Sequence, residues 1–337
     1  MVRLSRVGLG FALALSAGCS RPIVYVYIVP PPTIRPLTSV PAAPPQGTER
    51  FESSCSDGDA AECNSLGLVY DTGAGGVAVD HARAAELYQR ACDAKNARGC
   101  RNLAALYVSG RGAAAGIAKD PIKAAEYHTR GCELKHAESC YYLAVDYQMG
   151  NGVVKNDTRA AELYDFACHA DYANACNNLG FVYEQGLGVK RDMGKAREIY
   201  RQACASGVAR GCSGWASTFE AAPADLVRTA ILYRLACVVG DEPACTNFTS
   251  LRGQRSRFFA HRARAVRAEL DRDCNQGSAE SCRLAGVLLQ NGIGIPPEPA
   301  AAQERFHNGC QLLDHLSCDA IKKTEEEGED GDNADSP

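Results

Sequence analysis

Cysteine is the residue type with the most regular spacing in this sequence, and cysteines can form disulfides, bind metal or fill a core. Sixteen of the 17 cysteines form eight pairs, and the two members of each pair lie eight positions apart. The pairs are Cys55–Cys63, Cys92–Cys100, Cys132–Cys140, Cys168–Cys176, Cys204–Cys212, Cys237–Cys245, Cys274–Cys282 and Cys310–Cys318. This spacing favours disulfides over reduced core cysteines. Because the Cys-x-x-Cys spacing usual for zinc is absent, we predict no metal site, and we predict no other cofactor.

Sequence motifs for catalysis are missing. The chain has no Ser-x-x-Lys, Lys-Thr-Gly or Ser-x-Asn, so the serine β-lactamase set is absent. It also lacks His-x-His and the Gly-x-x-x-x-Gly-Lys phosphate loop. Two histidine pairs, His128/His136 and His307/His315, share the eight-residue spacing, and we expect them at solvated helix positions. The sequence leaves enzymatic activity uncertain and favours a protein that is not an enzyme.

The sequence segments that must position the cysteines recur with the same period as the cysteine pairs. The first members of successive pairs lie 33 to 40 residues apart, a period typical of repeat proteins. After the second cysteine comes a large apolar residue at the third position, an aromatic one at the seventh and a glycine at the tenth, as in Leu103, Tyr107 and Gly110. Offsets of three, four and seven define one face of a helix, and a glycine that can take positive φ ends it.

A second helix leads into the next cysteine pair. A residue suited to N-capping lies twelve positions before the first cysteine: Asp80, Asp120, Asn156, Asp192 and Asp225. Length varies only in the loop between the two helices, as expected for helix–loop–helix units that must keep their stacking. We therefore predict an all-α, α/α superhelical solenoid of about seven helix-pair repeats. One disulfide lies at each repeat junction, where adjacent helices bring the two Cα atoms to roughly 5.5 Å.

The N-terminus predicts secretion and anchoring. Residues 1–18 are typical of a signal peptide, because Arg3 and Arg6 precede an apolar stretch too short to span a membrane. The unpaired Cys19 ends a segment that resembles a lipoprotein lipobox, and the serine after it favours outer-membrane sorting. We predict lipidation at Cys19, with ordinary cleavage just before it as the alternative.

The rest of the chain divides into three parts. Residues 19–48 are rich in proline and predict an extended tether, residues 49–321 form the solenoid, and residues 322–337 form an acidic, disordered tail. Disulfides imply an oxidising compartment. Because no general basic surface accompanies the net charge of −4, we predict no nucleic-acid partner. Membrane contact is expected through the lipid anchor.

The repeats resemble the Sel-one-like repeat (SLR) family, relatives of tetratricopeptide repeats, and more narrowly its secreted, cysteine-rich bacterial branch. The resemblance rests on Cys-Asn-Asn-Leu-Gly-Phe-Val-Tyr-Glu-Gln-Gly-Leu-Gly-Val at 176–189 and Ala-Ala-Glu-Leu-Tyr at 160–164. It covers residues 55–318, and the repeats starting at Cys204 and Cys237 depart most, since they lack the Gly-x-Gly loop. It implies a right-handed superhelix whose concave face holds protein or peptide partners.

Two functions follow from this resemblance. The favoured one is an envelope lipoprotein that acts as a repeat scaffold or adaptor for a protein or peptide partner. Some cysteine-rich members of the family are described as penicillin-binding or as weak β-lactamases. The alternative is therefore a β-lactam- or muropeptide-binding protein with weak β-lactamase-like hydrolase activity. Either protein would be secreted to the cell envelope, as an outer-membrane lipoprotein facing the periplasm or the cell surface.

Two sets of residues are candidates for partner binding. Asn102, Asn178 and Asn247 share one offset on the first helix of their repeats and could bind peptide backbone. Seven arginines lie between positions 252 and 272, and helical spacing puts Arg257 and Arg264 roughly on one face. Arginine binds carboxylate or phosphate through two hydrogen bonds, so this strip predicts an anionic partner, with the chain's own acidic tail as a competitor.

Overall fold

The computed structural model describes residues 48–220, 225–252 and 257–322, which form sixteen α-helices and two short 3-10 turns. The α-helices are α1 (Glu49–Ser56), α2 (Ala60–Thr72), α3 (His81–Asp93), α4 (Ala97–Ser109), α5 (Pro121–Glu133), α6 (Ala137–Met149), α7 (Asp157–His169), α8 (Ala173–Gln185), α9 (Met193–Ala205), α10 (Ala209–Ser217), α11 (Leu226–Val238), α12 (Glu242–Arg252), α13 (Arg257–Asn275), α14 (Ala279–Asn291) and α15 (Pro299–Gln311). Residues 315–322 are also helical. The predicted signal peptide, Cys19, the tether as far as residue 47 and the tail from residue 323 lie outside the described residues.

The helix ends follow the predicted capping residues. Four side chains accept hydrogen bonds from backbone N–H groups in the first turn of the helix that each precedes: Asp80, Asp120, Asn156 and Asp192. Asp225 also lies at the N-cap position, of α11, but makes no such bond. At the other end, Gly110 closes α4 in the left-handed conformation, with φ of 64°. Side-chain caps and left-handed glycines therefore set the regular helix lengths.

The helices form seven successive pairs. We call the even-numbered helices from α2 to α14 the A helices and the odd-numbered helices from α3 to α15 the B helices. A regular B helix packs against the A helix of its own repeat and against that of the next, as α3 does against α2 and α4. This arrangement confirms the predicted all-α solenoid of helix-pair repeats. None of the helices in the described ranges is both long and apolar enough to cross a membrane.

Each of the six junctions from a B helix to the next A helix contains one disulfide, and the other two join α1 to α2 and α15 to the helical residues 315–322. All eight cysteine pairs are joined, with Cα–Cα separations of 4.5 to 4.7 Å. This is shorter than the roughly 5.5 Å that is usual, because the chain reverses between the two helices within a few residues. In the chain-entropy model each closed loop of this length contributes about 2–3 kcal/mol.

The turn inside each disulfide loop contains one residue with positive φ, three positions after the first cysteine. These eight residues are Gly58, Lys95, Lys135, Asp171, Gly207, Gly240, Gly277 and Leu313. Only glycine takes this conformation without a steric cost, which is roughly 1–2 kcal/mol for other residues. The disulfide loop therefore imposes the same reversal even where the sequence has no glycine.

The Gly-x-Gly loops do more than end the A helices. The second glycine of a loop packs against the B helix of the preceding repeat, and a Cβ at Gly152 would lie 2.0 Å from the carbonyl oxygen of Pro121. A Cβ at Gly188 would likewise lie 2.3 Å from the carbonyl carbon of Asp157. Both glycines also have positive φ. These loops are thus contacts between repeats, which the sequence did not indicate.

Stacking changes where the Gly-x-Gly loops are missing. There α11 packs directly on both α13 and α14. Trp215 of α10 and Leu284 of α14 line one cavity of about 190 Å³, so α10 and α14 face each other across it. Arg201 of α9 also reaches Glu280 of α14, with 3.0 Å between Nη1 and Oε2. In a regular stack α12 would separate α10 from α14, so α12 is displaced from the layer of A helices.

Candidate partner-binding surface

The N-terminal halves of the A helices mark the inner side of the curve. Arg101 of α4 lies near Tyr172, which precedes α8, and 6.0 Å from the centre of the Tyr142 ring. Tyr141 of α6 is similarly close to Arg210 of α10. Both pairs are separated by two repeats. Side chains that far apart along a curved stack approach one another on its inside, so we identify this face as the concave one.

A chain of hydrogen bonds links three neighbouring A helices on this face. The amide nitrogen of Asn102 donates to Asn64 Oδ1 at 2.8 Å, and Asn102 Oδ1 accepts from Arg101 at 2.9 Å. Arg101 also forms an ion pair with Glu138 at 2.5 Å. The chain thus runs from α2 through α4 to α6. It fixes the guanidinium of Arg101, whose side chain is only 11% exposed.

A cluster of tyrosines adjoins Arg101. The ring of Tyr141 lies 5.2 Å from that of Tyr142 and 5.0 Å from that of Tyr172, centroid to centroid. The guanidinium of Arg101 lies 6.0 Å from the centre of the Tyr142 ring. Burial raises the pKa of Tyr141 to about 12 and raises the pKa values of Tyr142 and Tyr172 as well. Their hydroxyls therefore stay protonated at neutral pH and can donate hydrogen bonds.

The cluster extends to α8 and α10. The buried amide of Asn178 lies beside Tyr141 and opposes the rise in the pKa of that hydroxyl. Two exposed arginines flank the tyrosines, Arg98 at the start of α4 and Arg210 at the start of α10. We call this set the inner cluster: Arg98, Arg101, Asn102, Glu138, Tyr141, Tyr142, Tyr172, Asn178 and Arg210. Tyr141 and Tyr142 are buried within it, so the groups that a partner would meet are Arg98, Arg210 and the half-buried Tyr172. Glu138 is the only carboxylate of the set.

The three predicted asparagines occupy different environments despite their common offset. Asn102 and Asn178 are buried, 6% and 7% exposed, and belong to the inner cluster. Asn247 is exposed on the displaced helix α12 and lies beside Tyr233 of α11. The first two are therefore brought together on the concave face, and the third is not.

Two arginines of the predicted strip on α13, Arg267 and Arg272, are paired with carboxylates of the chain. Arg264 is exposed, whereas the side chain of Arg257 lies outside the described part of the structure. Arg267, on the same helix, donates two hydrogen bonds to Glu298, at 2.5 and 2.9 Å. It also lies 3.4 Å from Asp271. These carboxylates bind α13 to its neighbours and reduce the positive charge that a partner would meet.

The prediction that the four spaced histidines are all solvated was wrong for His128. Its side chain is 4% exposed, forms a hydrogen bond with Asp146 at 2.7 Å and stacks on the ring of Tyr142. His136 is half-buried and caps α6, while the other two are exposed. His128 faces the core because its helix position, four residues before Cys132, points inward. Among the residues described, no group of His, Cys, Asp and Glu side chains could hold a metal ion.

Sequence reasoning missed the tyrosines and arginines of the inner cluster. They occupy the first and second positions after the second cysteine and the start of the A helices, where residue type varies between repeats. Tyr141 and Tyr142, for instance, stand where α8 has Asn177 and Asn178. The signal in the sequence was the second position after the second cysteine of each pair. Asn102 and Asn178 occupy that position, and both lie on this surface.

The fold and this surface define a disulfide-stapled α/α solenoid with a polar, aromatic concave face. The sequence profile of the Sel1 repeat family matches residues 63–96, 97–136, 137–172, 173–208 and 279–304, which together make up just over half of the chain. The protein therefore belongs to the Sel1 repeat family. The unmatched residues between 208 and 279 contain the displaced helix α12. A search of curated protein sequences found no match.

Solved structures support the same fold. A protective antigen of uropathogenic Escherichia coli that displays an SLR fold is 20% identical, with a TM-score of 0.58. The alignment covers 85% of this chain and 61% of the antigen, so this chain spans less than two thirds of that structure's length. A Sel1 repeat protein from Oxalobacter formigenes is 24% identical, with a TM-score of 0.56, over 61% of this chain and 84% of that one. At these identities the similarity concerns fold alone.

Proposed function

We propose that this protein is an envelope lipoprotein scaffold that holds an extended segment of a partner protein on its concave face. The observation that carries the proposal is the inner cluster. Tyrosine and arginine are the residue types that most often dominate protein–protein binding energy, and here they lie side by side on one surface. The Sel1 repeat scaffold itself fits protein–protein interaction.

The rigidity of the cluster supports its role in binding. Arg101 is held by Asn102 and Glu138, and the tyrosine rings pack on one another. A disulfide precedes every A helix that contributes to the cluster. Such a preorganised surface loses little side-chain entropy when a partner binds. If the partner segment is flexible, most of the conformational entropy lost on binding would be that of the segment, as in other complexes of disordered chains.

Location in the envelope is supported by the disulfides. Eight disulfides indicate an extracytoplasmic protein, since cytosolic thiols are kept reduced. We further propose that Cys19 is lipidated and that residues 20–48 tether the solenoid to the outer membrane. Replacing Cys19 with serine should release the protein from membranes. If the variant remained in the membrane fraction after a high-salt wash, lipidation would not be the anchor.

Partner capture with a matched pair of variants tests the proposed binding face. Tyr172 belongs to the inner cluster, whereas the half-buried Tyr183 lies under Lys195 on the opposite side of α8. After crosslinking in cells and pull-down from solubilised membranes, we expect Tyr172→Ala to lose a protein that the wild type and Tyr183→Ala retain. If Tyr172→Ala captured the same protein equally well, the inner cluster would not be the binding face.

The same preparations test the β-lactam alternative. A labelled penicillin should leave the purified wild-type protein unmodified and should not be hydrolysed by it. Covalent labelling that Tyr172→Ala or Arg210→Glu removed would favour a β-lactam- or muropeptide-binding protein over a scaffold.

A further inference from the structure

We propose that the acidic C-terminal tail of the chain, residues 323–337, occupies the inner cluster when no partner is bound. This inference rests on the proposed function, because the tail and the partner would share one surface. It also specifies the kind of ligand that this surface binds, namely an extended, acidic polypeptide. The argument depends on the charge of the cluster, on its hydrogen-bond donors and on the distance that the tail must span.

The charge of the inner cluster is positive. It contains three arginines, Arg98, Arg101 and Arg210, and only Glu138 opposes them. The N-termini of α4, α6, α8 and α10 lie along the same face, and each adds partial positive charge from its backbone N–H groups. At α10 a carboxylate borders the cluster, since Ser213 donates a hydrogen bond to Asp241 at 2.6 Å. The positive stretch thus spans the A helices from α4 to α10.

The hydrogen-bonding groups of the cluster are mostly donors. The guanidinium groups donate and cannot accept, and the hydroxyl of the half-buried Tyr172 stays protonated because burial raises its pKa. Surfaces of this kind bind acceptor-rich ligands, namely carboxylates and backbone carbonyls. The tail matches this chemistry with seven carboxylates: Glu325, Glu326, Glu327, Glu329, Asp330, Asp332 and Asp335.

The described chain ends near the cluster. Leu316 lies against the turn between α9 and α10, where a Cβ on Gly207 would be 3.9 Å from Leu316 Cδ2. That turn immediately precedes Arg210. Helical residues from Leu316 to Lys322 add about 9 Å, and the fifteen residues of the tail can extend by roughly 50 Å. The tail can therefore reach the cluster from the Arg210 side without any rearrangement of the helices.

The arginine strip on α13 is the competing site, and two of its arginines, Arg267 and Arg272, are already paired with carboxylates. Arg267 is bound by Glu298 and Asp271, Arg305 of α15 shares Asp271 at 2.8 Å, and Arg272 pairs with Asp273. Of the sequence-predicted pair on that strip, Arg264 is exposed. It provides a control at which the same change of charge can be made outside the inner cluster.

A fluorescent peptide with the sequence of residues 324–335 is the probe. In anisotropy titrations we expect it to bind the tail-deleted variant Δ323–337 at least about fivefold more tightly than the full chain, because a tethered tail competes at millimolar effective concentration. The difference should shrink as salt screens the charges. In Δ323–337, Arg210→Glu should weaken peptide binding by about tenfold, while Arg264→Glu should leave it unchanged.

Three results would overturn this inference. The first is equal peptide affinity of the full chain and Δ323–337, and the second is a difference that ignores salt. The third is weakening by Arg264→Glu together with normal binding by Arg210→Glu. Far-ultraviolet circular dichroism of each variant verifies that it is folded. If Δ323–337 still captured the partner through Tyr172, the scaffold function would stand and only the occupancy of the cluster by the tail would fail.

Discussion

The repeats from α2 to α9 and the region from α10 to α14 contain the same cysteine spacing, yet they stack differently. In the first region each A helix ends in a left-handed glycine, and the loops after α4, α6 and α8 contact the preceding repeat. In the second region the disulfides remain, the Gly-x-Gly loops after α10 and α12 are missing, and α12 leaves the layer of A helices. The comparison teaches that the disulfide fixes the turn from B to A, whereas the Gly-x-Gly loop fixes the stacking of repeats.

Substitution of the packed loop glycine should have the largest effect. Gly152→Ala places a methyl group against backbone at a residue with φ of 71°. We expect a loss of about 2–4 kcal/mol from the left-handed strain and the overlap together. Gly116 is the control, because its φ is +83° but a Cβ there meets nothing within 4 Å. Gly116→Ala should cost about 1–2 kcal/mol from strain alone. Equal losses in chemical denaturation would show that the loop does not contribute to stacking.

Removal of one disulfide should have the next largest effect on stability, and its local consequences should differ between the two regions. Cys92→Ala/Cys100→Ala and Cys237→Ala/Cys245→Ala should each cost about 2–3 kcal/mol. Hydrogen exchange should show α4 still protected in the first variant, because α4 also packs against α2, α5 and α6. In the second variant α12 should lose protection, since α11 is its main neighbour in the described structure. Loss of protection that spread through distant repeats would contradict nearest-neighbour coupling.

The left-handed turn residues predict a smaller, stabilising change. The turns before α4, α6 and α8 use Lys95, Lys135 and Asp171, whereas the three turns from α9 to α14 use glycine. Lys95→Gly should raise the free energy of unfolding by up to about 1 kcal/mol, because relief of strain outweighs the added entropy of the unfolded chain. Lys119→Gly, in a loop of the same repeat, is the control and should not stabilise. A lower melting temperature for Lys95→Gly would mean that the disulfide loop tolerates a side chain without strain.

Two glutamates should show the smallest effects, with opposite signs. Desolvation raises the pKa of Glu184, the α8 carboxylate that accepts a hydrogen bond from Tyr200, whereas Arg201 lowers the pKa of Glu198. A raised folded pKa means that stability falls as pH rises through it, and a lowered one means that stability rises with pH. As the pH rises through the usual glutamate range, the wild type should lose stability through Glu184 and gain a little through Glu198. Glu184→Gln should abolish that loss, and Glu198→Gln should abolish that gain. Parallel pH profiles for the two variants would be incompatible with these environments.

Local sequence signals predicted the fold well because they act over a few residues. The eight-residue cysteine spacing, the caps such as Asp120 and the glycine ends such as Gly110 each define one turn of backbone. Asp225 shows the limit of this approach. Its residue type suits an N-cap, but its side chain makes no capping hydrogen bond in a repeat whose loop sequence differs from the others. The displacement of α12 was not predicted, although the missing loops marked the region where it occurs.

The candidate site was predicted only in part because curvature creates it. Asn178 was identified by its offset, but its neighbours Tyr141 and Arg210 come from other repeats, and no sequence rule places them together. The curve brings side chains two repeats apart near one another on the inner face. Asn247 has the same offset and lies elsewhere, because α12 does not follow that curve. The position within a repeat can be read from sequence, whereas contacts between repeats depend on the stacking.

The central claim is that the inner cluster is the surface that holds a partner, and site-specific photo-crosslinking in intact cells tests it most directly. A photoreactive phenylalanine analogue would replace Tyr172 in one strain, Tyr183 in a second and Arg264 in a third. The account predicts a crosslinked protein at position 172 that is absent at positions 183 and 264, and a stronger crosslink in Δ323–337. Crosslinking at position 183 or 264, with none at 172, would contradict it.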